Sequence, residues 1–264
     1  MDELTTIILA GGFARRFRPL SDYMPKPLFP VGGVPVINYN LEKILELEVS
    51  SIIVSVNKRF ENDFRYWLSS LRSFYPDSYV SKIHLSVEPS TSEENKLGAI
   101  GGLAYTISEY NINSDVLVAL GDNLYNFNLL KILSLGRKER KIAIASYDIK
   151  DLNEAKKYGV LIVEGNKIKD FEEKPENPRS TIVSTGIYFI PKEKVYLINE
   201  YIRSPNNKDA IGKWFEWLIK EKKEEILTYT YNEGFWFDIG TPETYEKANQ
   251  LILQQGLYRR WMYP

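Results

Sequence analysis

Thr5-Thr6-Ile7-Ile8-Leu9-Ala10-Gly11-Gly12 is the stretch from which the rest of the chain is read. Two threonines and an unbroken apolar run, stopped by paired glycines, read as a buried strand feeding a turn with exposed backbone. A strand without polar alternation is covered on both faces, and a parallel sheet flanked by helices is its ordinary home. Downstream of it, Ile37, Leu41, Ile44 and Leu45 recur at helical spacing after Pro35, and Ser51 to Val56 reads as a second strand. Phe60, Phe64, Trp67, Leu68 and Leu71 line one face of a second helix. A strand ending at Glu88-Pro89, a polar stretch from Ser90 to Lys96, a helix after Gly98 and a strand from Asp115 to Leu120 continue the alternation. The pattern predicts an α/β fold, Rossmann-like, with a mixed and mainly parallel sheet between helices. Shorter strands at 142–147, 159–163, 167–171 and 182–190 add antiparallel elements, and helices start near Lys192, Lys208 and Pro242.

Length and composition narrow the function. The 264 residues would allow one large domain or two small ones at ~150 residues each, but no Pro/Ser-rich linker, repeat or low-complexity tract divides them, so a single domain over 1–264 is expected. Against 34 Lys and Arg stand 35 Asp and Glu, a net charge of -1 that gives no global case for nucleic acid or an anionic membrane as partner. Cys is absent and His84 is the one histidine, which excludes disulfides, thiolate nucleophiles and multi-histidine metal sites. No apolar run reaches the ~18 residues of a membrane span, and Met1-Asp2-Glu3-Leu4 lacks the basic start of a signal peptide, so a cytoplasmic protein is expected. Many Ile, Lys and Glu with 18 Tyr and no Cys fit a thermophile.

The turn after the first strand is chemically loaded. Gly11 and Gly12 let a polyphosphate approach backbone N–H groups, Arg15, Arg16 and Arg18 bring guanidinium charge, and Lys26 stands between Pro25 and Pro27 on a stiffened segment. In open α/β folds this position, beyond the carboxyl end of a strand, is where ligands bind. A plain glycine turn followed by solvated arginines fits these residues equally well. No G-x-G occurs, and Gly212-Lys213 lacks both the upstream glycine and the following Ser or Thr of a P-loop. An NAD-dependent oxidoreductase is therefore not expected.

Leu9-Ala10-Gly11-Gly12-x-x-x-Arg16-Phe17-x-Pro19-Leu20, followed by Pro25-Lys26-Pro27-Leu28-x-Pro30-Val31, resembles the signature of the sugar-phosphate nucleotidyltransferases. Later blocks follow in that family's order: Leu120-Gly121-Asp122-Asn123, Tyr158-Gly159-Val160, Phe171-Glu172-Glu173-Lys174-Pro175, Thr185-Gly186-Ile187-Tyr188 and Trp236-Phe237-Asp238-Ile239-Gly240-Thr241-Pro242. The resemblance implies transfer of a nucleotidyl group from a nucleoside triphosphate to a sugar-1-phosphate, with Mg²⁺ as cofactor and those two substrates as partners. It implies catalytic roles for Arg16 and Lys26 and nucleotide contacts by Ala10, Gly11, Gly12, Arg16, Glu88, Gly98 and Asp122. It also implies sugar-phosphate contacts by Gly159, Glu173, Lys174, Thr185 and Trp236, and metal contact by Asp122 and Asp238, since hard carboxylate oxygens suit Mg²⁺. Capping of the last helix is the competing reading of Asp238. At Glu88 a carboxylate favours guanine, where thymidylyl and uridylyl members often carry Gln. Oligomers are common among such proteins, so a homo-oligomer is expected, with Leu257 to Tyr263 as a candidate contact. The left-handed β-helix of longer relatives is not expected.

Two places depart from the family pattern. The inner Gly-Thr of the glycine loop is replaced by Ala14-Arg15, and Ser90 to Lys96 is insertion-like. Ala14 resists the positive φ that glycine accepts, so the loop is expected to take a variant path. This departure keeps open a noncatalytic relative that binds nucleotide or sugar ligands and regulates a partner.

Overall fold

The computed structural model describes residues 3–204 and 209–257. The first half contains strands β1 (Leu4–Leu9), β2 (Pro30–Val31), β3 (Val34–Pro35), β4 (Ser51–Asn57), β5 (Ile83–Glu88) and β6 (Asp115–Leu120), with helices α1 (Val36–Leu45), α2 (Glu61–Ser70), α3 (Asp77–Val80) and α4 (Gly98–Glu109). The second half adds β7 (Asn123–Tyr125), β8 (Ala143–Asp148), β9 (Gly159–Glu164), β10 (Lys167–Glu173), β11 (Ile182–Ile190), β12 (Leu227–Tyr231) and β13 (Trp236–Asp238). Its helices are α5 (Leu130–Glu139), α6 (Leu152–Ala155), α7 (Tyr196–Arg203), α8 (Ile211–Lys220) and α9 (Pro242–Gln255). Lys208, near which a helix start is expected, and residues 258–263 of the candidate contact segment lie outside the described residues.

Nine strands form one mixed sheet in the order β5-β4-β1-β6-β11-β8-β12-β10-β9. The parallel pairings β5/β4, β4/β1 and β1/β6 are concentrated in the first half. Beyond β6 the sheet is antiparallel except for β8/β12. The apolar run of β1 explains its central place: Ile8 faces the helices α1, α2 and α5, and Ile7 faces α4, α7 and α8, both fully buried. A third, smaller cluster packs α9 over β2 and β3, with Phe17 against Phe29 at 5.2 Å. Strand β12 and helix α5 carry no reading in the sequence analysis. Leu227-Thr228-Tyr229-Thr230-Tyr231 alternates large and hydroxyl side chains, a strand pattern, and pairs in parallel with β8.

The chain's connections are anchored by a buried charge. Asp115, at the start of β6 and fully buried, accepts from Arg137 at 3.3 Å, from Arg140 at 3.2 Å and from the backbone N–H of Lys192 at 3.0 Å. It joins α5 and the segment before α7 to the centre of the sheet. Asp115→Ala leaves that N–H without its acceptor and is expected to lower unfolding free energy by about 2 kcal/mol. A urea titration checks this: the midpoint should fall with the slope unchanged, and an unmoved midpoint would remove the network from the account.

Candidate active site

Strand order reverses at β1. The chain moves outward through β4 to β5 on one side and then returns to place β6 on the other. A crevice opens where the loops after β1 and β6 diverge, beyond the carboxyl ends of those strands. It has two adjoining lobes. One, of about 220 Å³, is lined by Ala10, Gly11, Ser55, Glu88, Gly98 and Gly102, and the other, of about 510 Å³, by Arg15, Arg16, Glu173, Lys174, Thr185, Trp236 and Asp238. Gly12, Lys26 and Asp122 border both. The structure thus brings every expected site residue to the rim or wall of one crevice.

The glycine and arginine loop makes a left-handed turn at a residue other than glycine. Ala14 stands at φ 47° and ψ 46°, a conformation that costs an L-residue roughly 1–2 kcal/mol. The next residues, Arg15 to Phe17, form a short 3₁₀ turn, and Phe17 is the anchor that holds it. Its ring lies edge-on to Phe29 and Tyr245, and the Tyr245 hydroxyl donates to the Pro30 carbonyl at 2.6 Å. Arg16 is therefore aimed from a loop pinned by the last helix. Asn57, at the end of β4, fixes the glycine side: its amide donates to the Gly11 carbonyl at 3.0 Å while its oxygen accepts from the N–H of Phe60 at 3.0 Å.

The two acids meet because their strands pair. Asp238 ends β13 and lies across from Asn123, the residue after Asp122, in a two-stranded ribbon of β7 and β13. The Ile239 N–H donates to the Asp122 carbonyl at 3.1 Å and closes the ribbon. Neither acid caps a helix. Thr241 caps α9 through the N–H of Thr244, so the competing reading of Asp238 does not hold. A Cβ at Gly240 would sit 2.8 Å from Oδ2 of Asp238, so that glycine makes room for the carboxylate.

Burial, and then the neighbouring charge of Asp122, push the Asp238 carboxyl up to about 6. Lys26 forms an ion pair with Asp122. Burial of Lys26 favours its neutral form, but the carboxylates of Asp122 and Asp238 outweigh that and hold its ammonium above the usual lysine range. Two crowded carboxylates with a proton held high on one of them fit a hard divalent cation bound by few protein ligands. Among the described residues no third carboxylate or histidine joins them.

On the side of the smaller lobe, Glu88 ends β5 and is only 4% exposed. Added Cβ atoms at Gly11 and Gly102 would lie 3.1 and 2.9 Å from its two carboxylate oxygens, so both glycines leave room for it. Gly98 begins α4 with φ +77°. The insertion-like stretch forms a turn from Glu93 to Asn95 closed by a Ser92 and Asn95 capping box, and Lys96 then bridges Glu93 at 2.6 Å and Asp209 at 2.7 Å.

On the other side, Glu173 is largely buried and its carboxyl is raised by that burial. Lys174 takes φ 48° and pairs with Glu173 at 3.8 Å. Thr185 lines the lobe, but its hydroxyl already donates to the Ala145 carbonyl at 2.8 Å, and Trp236 donates to the Thr185 carbonyl at 3.1 Å. These two residues shape the wall chiefly by packing. Asn57, Ser55 and the segment from Asp209 to Ile211 also border the site or its loops and are missing from the expected site residues, and Gly212, read only as part of an incomplete P-loop, borders it too. Asn57 left a faint signal, a polar amide closing an apolar strand, whereas Ser55 and residues 209–211 left none.

Burial pushes Glu88 up to about 7 from the usual 4.5. Between those values the folded, ligand-free chain holds a proton that the unfolded chain has lost, so stability falls as pH rises from ~4.5 to ~7, by on the order of 3 kcal/mol. Glu88→Gln should remove that slope. The difference between wild type and variant in urea midpoints at pH 5 and pH 8 isolates it from the other acids, and parallel pH profiles would refute it.

The nucleotidyl transferase family model matches residues 5–255. A Sulfolobus acidocaldarius protein, provisionally named a mannose-1-phosphate guanyltransferase, is 30% identical over 95% of this chain; the chain spans 63% of that relative's length. A Haloferax volcanii protein named a UTP–glucose-1-phosphate uridylyltransferase is 26% identical over 96% of this chain and 98% of its own. A Bacillus anthracis structure, provisionally named a glucose-1-phosphate thymidylyltransferase, in complex with sucrose, superposes with a TM-score of 0.79 over 94% of each chain at 24% identity and so shares the fold. With a match over nearly its whole length and the family's ordered blocks gathered around one crevice, the chain belongs to the nucleotidyl transferase family.

Proposed function

We propose that this chain transfers a nucleotidyl group from a nucleoside triphosphate to a sugar-1-phosphate, releasing pyrophosphate and forming a nucleoside diphosphate sugar. The observation that carries this reading is the gathering of Arg16, Lys26, Lys174, Asp122 and Asp238 on one crevice between a small lobe and a larger one. A sugar phosphate oxygen is already anionic, so attack on the α-phosphorus needs no side-chain base. What the protein must supply is alignment of two polyanions and stabilisation of charge moving onto the leaving pyrophosphate.

The N–H groups of Gly11 and Gly12 and the guanidinium of Arg16 bind the triphosphate in this reading. Lys26 stays charged beside the acids and holds the α-phosphate and the attacking phosphate together. Mg²⁺ is the cation we assign to Asp122 and Asp238; when bound it supplies positive charge for the phosphate oxygens. Glu173 accepts from sugar hydroxyls and Lys174 neutralises the sugar phosphate. Glu88 favours guanine, because a carboxylate accepts twice and the guanine edge offers N1–H and N2–H side by side; those two donors would also hold Glu88 ionised.

The test is a pyrophosphate-release screen of the common nucleoside triphosphates against hexose, N-acetylhexosamine and heptose 1-phosphates, with Mg²⁺ or with chelator. Release is expected with one pair, strongest with GTP, and none with chelator. Absence of release from every pair would transfer support to the regulatory reading. A unit-charge pair at ~4 Å contributes roughly 4 kcal/mol at an effective dielectric of ~20, so Arg16→Ala and Lys26→Ala should each lower kcat/KM by about 100-fold or more while remaining folded. Asp122→Ala and Asp238→Ala should abolish the response to Mg²⁺, and a retained metal titration curve would overturn the assignment.

A further inference from the structure

Gly212-Lys213, an incomplete phosphate loop on sequence grounds, lies in the first turn of α8, which packs on β10 where that strand ends in Glu173. A Cβ built at Gly212 would lie 1.8 Å from Oε2 of Glu173 and 2.7 Å from its Cδ. The backbone at Gly212 is not left-handed, so conformational freedom is not the reason for a glycine here. The reason is room for a carboxylate. Across from it, a Cβ at Gly159 would strike the Phe171 ring at 2.4 Å and also approach the same Oε2 to 3.3 Å, so the carboxylate lies between two elements with Gly212 making most of its room.

The backbone of Glu173 is held from the same helix. One turn beyond Gly212, Oε1 of Glu216 accepts the Glu173 N–H at 2.8 Å, and Lys213 holds the other oxygen of Glu216 at 3.0 Å. On the far side the Lys174 N–H donates to the Tyr158 carbonyl at 3.1 Å. An ordinary β-strand end would leave Glu173 free to rotate and its N–H to water. Here its carboxylate fits against Gly212, and its main chain is tied before and after it.

We infer that the first two turns of α8 template the sugar side of the site, with Gly212 and Glu216 as positioning residues that aim the Glu173 carboxylate at hydroxyls of the sugar-1-phosphate. The inference rests on the sugar-binding role proposed above for Glu173. It assigns a function to a helix that touches the substrate lobe only at its first turn. It also explains why that turn carries a glycine, a poor helix former.

The test is steady-state kinetics with the preferred sugar-1-phosphate and its monodeoxy analogues. Wild type should discriminate against the analogue that lacks the hydroxyl bound by Glu173, and Glu173→Ala should lose that discrimination. Gly212→Ala should raise KM for the sugar-1-phosphate by about tenfold or more, leave KM for the nucleotide within about twofold and erase the same discrimination. Glu216→Ala should act in the same direction, whereas Glu216→Gln, which keeps an acceptor for the Glu173 N–H, should restore it. Circular dichroism and Tm establish folding, and if Gly212→Ala does not fold the two Glu216 variants decide. Should Glu173→Ala keep full discrimination, the sugar-binding reading itself falls. Should Glu173→Ala lose it while folded Gly212→Ala, or failing that Glu216→Ala, keeps it, the role of α8 is overturned and that reading stands. An equal rise in both KM values would mark the helix as general support and overturn the inference too.

Discussion

Two carboxylates that repel each other are held in one crevice by a ribbon of three residues per strand. Asp122 and Asp238 are 116 positions apart in the chain, and only the pairing of β7 with β13 makes them neighbours. Burial and mutual repulsion work against this arrangement, which is why the Asp238 carboxyl is pushed upward. Lys26 offsets part of the cost by pairing with Asp122. Everything else in the site is arranged around that concentration of charge: the glycine loop on one flank, the base-sized lobe beyond it and the Glu173 cradle on the other.

Rigidity comes from the sheet and strain is confined to the loops. The ends of β1, β4, β5 and β6 are fixed by parallel pairing, so the loops that follow them begin from defined points. Of the six left-handed residues other than glycine among the described residues, two border the site, Ala14 beside the arginines and Lys174 beside Glu173. Such conformations persist only where surrounding contacts over-determine them. At Ala14 those contacts are the aromatic packing of Phe17, Phe29 and Tyr245; at Lys174 the bond to the Tyr158 carbonyl contributes. The chain also crowds carboxylates against glycines at three points, Glu88, Glu173 and Asp238. In each case the missing side chain is what lets an acidic group stand inside the fold.

Much of this was legible in the sequence where local rules dominate. Apolar runs such as those of β1 and β6 are covered on both faces and can be recognised without knowing their neighbours, and the glycine, arginine and proline punctuation of residues 11–30 marks a ligand loop. Strand β12 carries a legible alternation of Leu and Tyr with Thr that was passed over, whereas its parallel place beside β8 comes from pairing and could not be read from its own residues. Intrinsic preference alone disfavours the positive φ at which Ala14 stands. Tertiary packing overrode that preference by about the magnitude that a few aromatic contacts supply.

By itself the sequence determined the α/β class, the charged loop after the first strand and the inventory of chemically capable groups, because periodicity, turn chemistry and residue type are local properties of a chain. Tertiary structure alone decided which of those groups face one another. It put Asp238 on the ribbon instead of a helix cap, turned the hydroxyl of Thr185 toward a backbone carbonyl, and brought Gly212 and Glu216 to the back of Glu173. Such contacts join positions tens to more than a hundred residues apart, and no local rule carries information over that distance; it is set when strands pair and helices pack.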